Sequence, residues 1–395
     1  IGGGVHGVHL AARLIGEGGV PRAALRILDP GRQLLSRWHS FTRITGMRHM
    51  RSSSVHHLDL EPFSLRRFAE EGPYPPPYYA PPFDRPALAL FNAHSELVLR
   101  RFGLADLHIR DRAIRCEVES TGVRVRLAGG GTLRTDRLVL AIGASEQPHL
   151  PSWALVDDPR VQHIFTTEPA RWPSSPETVV VVGGGISAGQ VALRLLREGH
   201  RVHLVSRHAF REHQFDSDTG WLGPEHMTGF RLERDADRRR AIITKARHVG
   251  SVPRDVRLAL DRVIAADRVV WHRGEVRRLD VRPSRLALLI ENTTIEADRV
   301  LLATGFKSHR PGGAMIDELV ASASLRCAQC GYPIVDSALR GHPRIHVTGP
   351  FAELELGPVS RNIAGARRAG DRLIDSIRPP QRPRETSRHT AVSLA

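Results

Sequence analysis

The sequence predicts an α/β fold of two Rossmann-like dinucleotide-binding domains, the second inserted into a discontinuous first. Three observations predict it. Glycine-rich loops occupy residues 2–7 and 183–188, and each opens a helical run. A stretch of β-hairpin character follows each loop, at Val123 to Leu133 around Gly129-Gly130-Gly131 and at Leu286 to Ile295 around Asn292. Each stretch leads into a strand that ends in Ala-x-Gly, at Ala141-Ile142-Gly143 and Ala303-Thr304-Gly305. This duplicated order argues against two unrelated nucleotide sites in tandem.

The first loop, Gly2-Gly3-Gly4-Val5-His6-Gly7, has the spacing G-x-G-x-x-G. Gly2 permits the tight turn, Gly4 lets a pyrophosphate approach the backbone, and Gly7 lets helix and strand pack closely. A helix from about Val8 to Ile15 would present free N–H groups and a partial positive charge to that pyrophosphate. The strand Ala24 to Leu28 ends in Asp29, 22 residues beyond Gly7, placed to accept from ribose hydroxyls. No strand precedes Gly2, where a Rossmann sheet has its central one, so roughly five to ten further apolar residues are expected before Ile1.

The second loop has its strand. Thr178 to Val182 is a buried-strand run, followed by Gly183-Gly184-Gly185-Ile186-Ser187-Ala188 and a helix from Gly189 to Arg197. The next strand, Arg201 to Val205, ends in Ser206-Arg207 and not in an acid. A carboxylate there would repel a 2′-phosphate, whereas a guanidinium pairs with it, which favours NADPH over NADH. The plain alternative is that Arg207 faces solvent.

Composition narrows the class. At 395 residues the chain can hold two or three domains. It has no apolar run near the ~20 residues of a membrane span, and its three cysteines suit a reducing cytoplasm better than a disulfide framework. The formal charge of +15 is almost all arginine, with lysine only at Lys245 and Lys307. No nucleic-acid-binding module accompanies it, so scattered, solvated arginines are expected and no nucleic-acid or membrane partner.

On these residues the chain resembles the two-dinucleotide-binding flavoproteins, and among them the class B flavin-dependent monooxygenases, especially the amino-acid N-hydroxylases. The resemblance runs from about Gly2 to Ile377. Beyond the glycine loops it rests on Trp38-His39, Gly46-Met47 and Met50 to Leu60. Trp172-Pro173, Ala303 to Phe306, Ile345 to Gly349 and Gly357-Pro358-Val359-Ser360-Arg361-Asn362 complete it. It implies FAD and NADPH as cofactors, with Gly2, Gly4, Val5, His6, Gly7, Asp29, Trp38, His39, Arg51, Gly143, Gly183, Gly185, Ile186, Ser187, Ala188, Arg207, Gly305, Gly349, Gly357, Pro358 and Asn362 binding them. It implies hydride transfer from NADPH to flavin, a C4a-(hydro)peroxide, and insertion of one oxygen atom from O2 into a small molecule, N-hydroxylation foremost. A flavin reductase of the disulfide oxidoreductase type, and a non-catalytic nucleotide-binding protein, are the other readings.

Two departures qualify the resemblance. The ketone-oxygenating fingerprint F-x-G-x-x-x-H is not intact, because Asp157 and Pro159 stand where Phe and Gly belong, although His163 fits. Where the N-hydroxylases carry a flavin-contacting glutamine and a substrate-contacting lysine, this chain has Arg51 and His56, the two candidates for catalytic or substrate contact.

Other residues invite a function and are read more plainly. Cys327-Ala328-Gln329-Cys330 lies after the second Ala-x-Gly turn and not beside either loop, so a structural role is expected over disulfide chemistry. Zinc would need two more ligands, and no metal site is expected. The 21 histidines show no metal-ligand spacing. Gly72 to Pro86, with Tyr74, Tyr78, Tyr79 and Phe83 among prolines, reads as a semi-rigid strap or surface loop. The expected organisation is an FAD domain over 1–170 and 296–378, an NADPH domain over 171–295 in which Phe215 to Arg254 forms helices and loops, and a disordered tail at 379–395. Oligomeric state and substrate identity are not legible.

Overall fold

A computed structural model describes residues 1–73, 76–166 and 172–377. Tyr74, the expected boundary at 170/171 and the tail 379–395 lie outside the described residues. Two parallel sheets organise the rest, and each is built around one glycine loop.

In the first sheet, His108–Ile109 pairs in parallel with Ile27–Leu28, and Leu138–Leu140 pairs in parallel with Ile345–Val347. Ile1 sits between the two pairs: its nitrogen donates to Val139 O, its carbonyl accepts from Ala141 N, and Gly2 N donates to Leu28 O. Ile345–Val347 brings the C-terminal part of the chain back beside Leu138–Leu140, which makes the first unit discontinuous. Its core joins Leu138, Leu140, Ile345 and Val347 to Leu10 and Leu14 of the Val5–Gly16 helix and to Phe351.

The second sheet runs Val269–Arg273, Arg201–Ser206, Thr178–Val182, Arg299–Leu302, Val161–His163, all parallel. Val179, Val180, Val181, Val300, Leu301 and Leu302 are buried on both faces, as central strands of such a sheet must be. The sheet therefore reaches beyond the expected limits of 171 and 295, taking one edge strand from before them and one central strand from after. The reason is the duplicated design: in each unit the strand that follows the meander packs directly beside the segment that enters the glycine loop.

The meanders are three-stranded and antiparallel, Ala113–Val118/Val123–Leu127/Thr132–Thr135 and Val276–Val281/Leu286–Ile290/Thr293–Ala297. Two local expectations shift. Both post-loop helices start earlier than expected, at Val5 and Ile186, because Gly4 and Gly185 themselves are the extended N-cap residues. The strand expected from Ala24 is only Ile27–Leu28, since Pro21 starts a 3-10 turn over Arg22–Ala24. Phe215 to Arg254 is mainly helix and loop, with helices at Pro224–Leu232 and Ala236–Ala246. No helix among the described residues is long and apolar enough to cross a membrane.

Several histidines are structural. His9, His57, His94, His163 and His346 are at most 1% exposed. Burial pushes His9 and His57 down to about 3, and His94, His163 and His346 down to about 4. In the unfolded chain each titrates near ~6.5. Below that value the unfolded chain binds protons that the folded one refuses, so stability is full above pH ~6.5 and falls as pH drops towards the folded values. Each group contributes on the order of 1.4 kcal/mol per pH unit across that window. The thermal midpoint should be level from pH 8 to 7 and fall steeply between pH 6 and 4.5; a flat profile over the acid range would refute this accounting.

Candidate functional site

The two loops are held by the same contact. The carbonyl of Ala141 lies 2.5 Å from where a Cβ on Gly2 would stand, and the carbonyl of Ala303 lies 2.4 Å from the corresponding point on Gly183. Gly2 has φ 112° and Gly183 φ 156°, in the region L side chains avoid. A Cβ on Gly7 would fall 1.9 Å from Gly2 O, so the helix can come this close only with glycine there. On Gly4, by contrast, a Cβ would meet nothing within 4 Å. The backbone at Gly4 therefore borders open space, at the start of a helix with no side-chain cap and no acid in its first turn. That is the form of a phosphate cradle.

Asp29 sits against the first loop. Its Oδ2 accepts from Gly3 N at 2.7 Å and its Oδ1 from Gly31 N at 2.8 Å, which fixes the carboxylate while leaving each oxygen a further lone pair. His6 joins the loop to the returning chain, its Nδ1 2.8 Å from Thr348 Oγ1 and its ring 3.7 Å from a Cβ built on Gly349. Burial pushes the His6 imidazole down to about 4, so it is neutral at pH 7. Ser360 Oγ donates to Gly349 O at 2.6 Å, and Asn362 Oδ1 accepts from Gly365 N at 3.0 Å, capping the Ile363–Ile377 helix. Gly349 thus lies at the first loop, and Ser360 ties the following Gly357–Asn362 segment to it. Gly357, at φ 77°, packs against Met227 and Trp221 instead.

Trp38 and His39 lie on the Ser36–Thr45 helix next to this loop, where Leu35 N donates to Gly3 O. The Trp38 indole donates to Asn92 Oδ1 at 2.9 Å, and burial lowers the pKa of His39. Gly305, at φ 79°, borders open space, whereas a Cβ on Gly143 would meet Ser145 Oγ at 3.8 Å, an ordinary contact.

In the second loop, Gly185 is the uncapped start of the Ile186–Arg197 helix. Ala188 is buried in the core, where the loop packs on its sheet. Arg207 is exposed at the end of Arg201–Ser206 and has no ion pair or side-chain hydrogen bond among the described residues. Ser206 is occupied otherwise: its Oγ donates to His208 O and accepts from the Trp271 indole.

The two catalytic candidates are placed differently from what their sequence positions suggest. Arg51 spends its guanidinium on the second unit, donating to Gln214 O, His213 O, Phe215 O, Ser251 Oγ and Asp216 Oδ1. It is a latch between units. His56 is half-buried against Arg367 and Arg368, and burial followed by those two cations lowers its pKa.

Sequence reasoning missed the strip, residues 247–251, that ties the second loop to Arg51 and to the returning C-terminal segment. Gly250 Cα lies 3.3 Å from a Cβ placed on Gly185, Ser251 receives Arg51, and Arg247 donates to Pro358 O at 3.3 Å. Arg247 also meets Glu353, which is fully buried and shared with Arg240 and Arg361. Tyr332 closes the group, its ring 4.2 Å beneath the Arg240 guanidinium and its hydroxyl accepting from Arg361. Burial, then the neighbouring cations Arg361 and Arg240, pull Arg247 down to about 9. Nothing in the sequence marks Glu353 among so many charges.

Cys327 and Cys330 are free thiols at the margin of this group, Cys330 Sγ 3.4 Å from Arg240 Nε and Cys327 Sγ 4.0 Å from Arg310 Nη1. Burial raises the Cys327 thiol above its ordinary value, which disfavours the thiolate. Asp218, Glu225 and His226 could together hold a metal ion by distance, but they are surface groups and Asp218 serves as the cap of Thr219–Leu222.

Superposed on solved structures, the chain matches an ornithine hydroxylase from Pseudomonas aeruginosa with a TM-score of 0.71 at 17% identity, over 94% of this chain and 97% of that one. An FAD-bound cadaverine monooxygenase from Erwinia amylovora, of a desferrioxamine pathway, matches with a TM-score of 0.72 at 14% identity, over 99% and 97%. The fold is that of the N-hydroxylating flavin monooxygenases. A bacillithiol disulfide reductase from Bacillus cereus shares it with a TM-score of 0.62 at 16% identity, over 95% and 96%. By sequence, the family model described as FAD-NAD(P)-binding matches residues 1–145, and that described as pyridine nucleotide-disulphide oxidoreductase matches residues 106–249. No curated protein matches.

The Glu353 group yields a direct test. Removing the carboxylate from three buried or half-buried guanidiniums leaves cations without a partner, which costs about 3–5 kcal/mol. Glu353→Gln should lower the denaturant midpoint accordingly, whereas Asp216→Asn, at the exposed end of the Arg51 latch, should change it by less than about 1 kcal/mol. Equal effects would show that the buried group is not the stronger tie.

Proposed function

We propose that this protein is an FAD- and NADPH-dependent monooxygenase that inserts one oxygen atom from O2 into a small molecule, by N-hydroxylation of an amine, in a reducing cytoplasm. The observation that carries the proposal is a pair of phosphate cradles of one design, each a glycine loop packed on an Ala-x-Gly carbonyl and opening an uncapped helix, within a fold shared over nearly its whole length with an ornithine hydroxylase and a cadaverine monooxygenase. The residues present fit both cofactors. FAD would lie on the Gly2–Gly7 cradle with Asp29 at its ribose, and NADPH on Gly183–Ala188 with Arg207 at its 2′-phosphate. Bound there, the flavin supplies hydride acceptance and oxygen activation; the protein supplies position and exclusion of water.

Each part has a physical task. The uncapped helix starts at Gly4 and Gly185 direct partial positive charge at the two pyrophosphates. The Ile363–Ile377 helix, its first turn capped by Asn362 and its entry tied to Gly349 through Ser360, would offer a second such terminus to the flavin, where it would stabilise negative charge by ~0.3–1 kcal/mol or somewhat more when buried. His6 is neutral and linked to Thr348, so it adds no cation there. Arg51 holds the 213–216 segment and Ser251, which would keep the second unit and its nucleotide in fixed register with the first.

The second reading, a reductase passing electrons to a disulfide, is favoured by the family model over residues 106–249 and by the likeness to a bacillithiol disulfide reductase. The two readings separate on one measurement. With amines, amino acids, ketones and thioethers offered in turn, NADPH oxidation should couple to a hydroxylamine product for one amine class, with little peroxide. Turnover only with a disulfide, lost on Cys327→Ser/Cys330→Ser, would support the reductase instead.

Arg207 tests the nucleotide assignment. A charge-assisted hydrogen bond contributes ~1.5–3 kcal/mol. Arg207→Glu should therefore raise KM for NADPH about 10–100-fold and leave KM for NADH nearly unchanged; an equal change for both would show that Arg207 does not read the phosphate.

A further inference from the structure

A cavity of about 470 Å³ lies between the Ile186–Arg197 helix, the Arg254–Ala265 helix and the Gly46–Arg51 segment. That volume is within the ~300–1,000 Å³ range of small-molecule sites. It contains none of the loop glycines, nor Asp29, nor Arg207, and meets the second cradle only at Ile186. Arg51 also lines it, with its guanidinium held by Gln214 O, Asp216 and Ser251, so that apart from Ile186 and Arg51 no residue expected at a cofactor lines the cavity.

Its lining divides into two parts. Leu193 and Leu196 from one helix and Val256 and Val263 from the other give apolar walls. Around them stand Arg48, Arg197, Arg262 and Arg268, all exposed, and none with a side-chain hydrogen bond or salt bridge among the described residues. Arg85 is the buried arginine of the lining, 2% exposed, with Nη1 3.2 Å from Asp255 Oδ2 and Nη2 donating to Pro81 O at 2.8 Å. Its Nε is buried and has no partner. A buried guanidinium donor without an acceptor is costly, and surface cations gathered around one opening repel each other. Asp255 is the only acid in the lining, and Arg85 already holds it. Burial, then Arg48, pulls the Arg197 pKa down, as expected where like charges crowd.

We propose that this cavity is a second ligand site, for an organic anion whose apolar body lies between the two helices and whose carboxylate or phosphate head lies among the arginines. The wall composition selects the body and the unpaired guanidiniums the head. A long acyl carboxylate and an alkyl phosphate share that chemistry.

Isothermal titration of the full-length, flavin-loaded protein tests it with four probes: dodecanoate, dodecyl phosphate, dodecan-1-ol and inorganic phosphate. Either of the two amphiphilic anions should bind, and the preferred head identifies the source. Dodecan-1-ol and inorganic phosphate should each bind at least about tenfold more weakly, since each lacks one half of the recognition. Arg48→Gln/Arg268→Gln should weaken the anion about tenfold or more with an unchanged melting temperature. Ala259→Phe, which fills the space between the helices, should abolish binding at an unchanged flavin content. Saturating NADP⁺ should not displace the probe. Equal binding of dodecanoate and dodecan-1-ol, displacement by NADP⁺, or no binding by either anion would overturn the proposal. None of these outcomes depends on whether the enzyme hydroxylates amines, so the two proposals fail separately.

Discussion

The contact on which the rest depends is between a strand-end carbonyl and a glycine. Ala141 O against Gly2 and Ala303 O against Gly183 leave no room for a Cβ, so each loop must leave its sheet in a backbone conformation that side-chain-bearing residues avoid. That exit sets the direction of the helix that follows. The helix start then presents N–H groups with no partner of their own to the space in front of the loop. The Ala-x-Gly turns are therefore more than landmarks of duplication. They are the surfaces against which both cradles are shaped, and this explains why the strand before each turn must lie beside its own loop and why Arg299–Leu302 belongs to the second sheet.

What could be read from the sequence follows this constraint. Glycine spacing, apolar strand runs and the residue at the tip of the next strand are local, so the loops and the strand ends that carry Asp29 and Arg207 were legible, as was the placement of one unit inside the other. Distances between segments far apart in sequence were not. Arg51 aligned with a flavin-contacting position, yet its donors reach Gln214, Asp216 and Ser251, more than 160 residues away. Glu353 carried no pattern at all, and its importance comes from complete burial among guanidiniums supplied by the Ala236–Ala246 helix with its cap residue Arg247 and by Arg361. The Ala24 strand was cut short by a turn that Pro21 starts, a case in which local backbone geometry overrode an apolar run.

The excess of arginine also changes meaning once the fold is known. Scattered positions along the sequence suggest a solvated surface, and many are that. A substantial set instead joins the units. Arg194 donates to Arg43 O and Ile44 O while stacking over Trp172; Arg239 and Arg240 reach Glu355 and Glu353; Arg51 reaches the 213–216 segment. Guanidinium suits this work better than ammonium. Its planar fork can satisfy several backbone carbonyls at once, and it is the less strongly hydrated cation. Lysine at the same positions would supply the charge without the geometry.

An interface fastened in this way cannot be neutral throughout. Where a carboxylate is enclosed, as at Glu353, the cations are compensated and the junction is tight. Where the facing elements carry few acids, as between the Ile186–Arg197 and Arg254–Ala265 helices, the same residue type leaves cations without partners around an apolar opening. The helices themselves pack together at Gly189, Val256 and Leu260, but closing the opening beside them over the arginines and the unsatisfied donor of Arg85 would remove water from charges that have no counter-ion. A neutral apolar guest would leave that imbalance in place, and a small inorganic anion would leave the walls wet. An anion with an apolar body removes both costs together, so the cavity's charge and its shape point to the same kind of occupant.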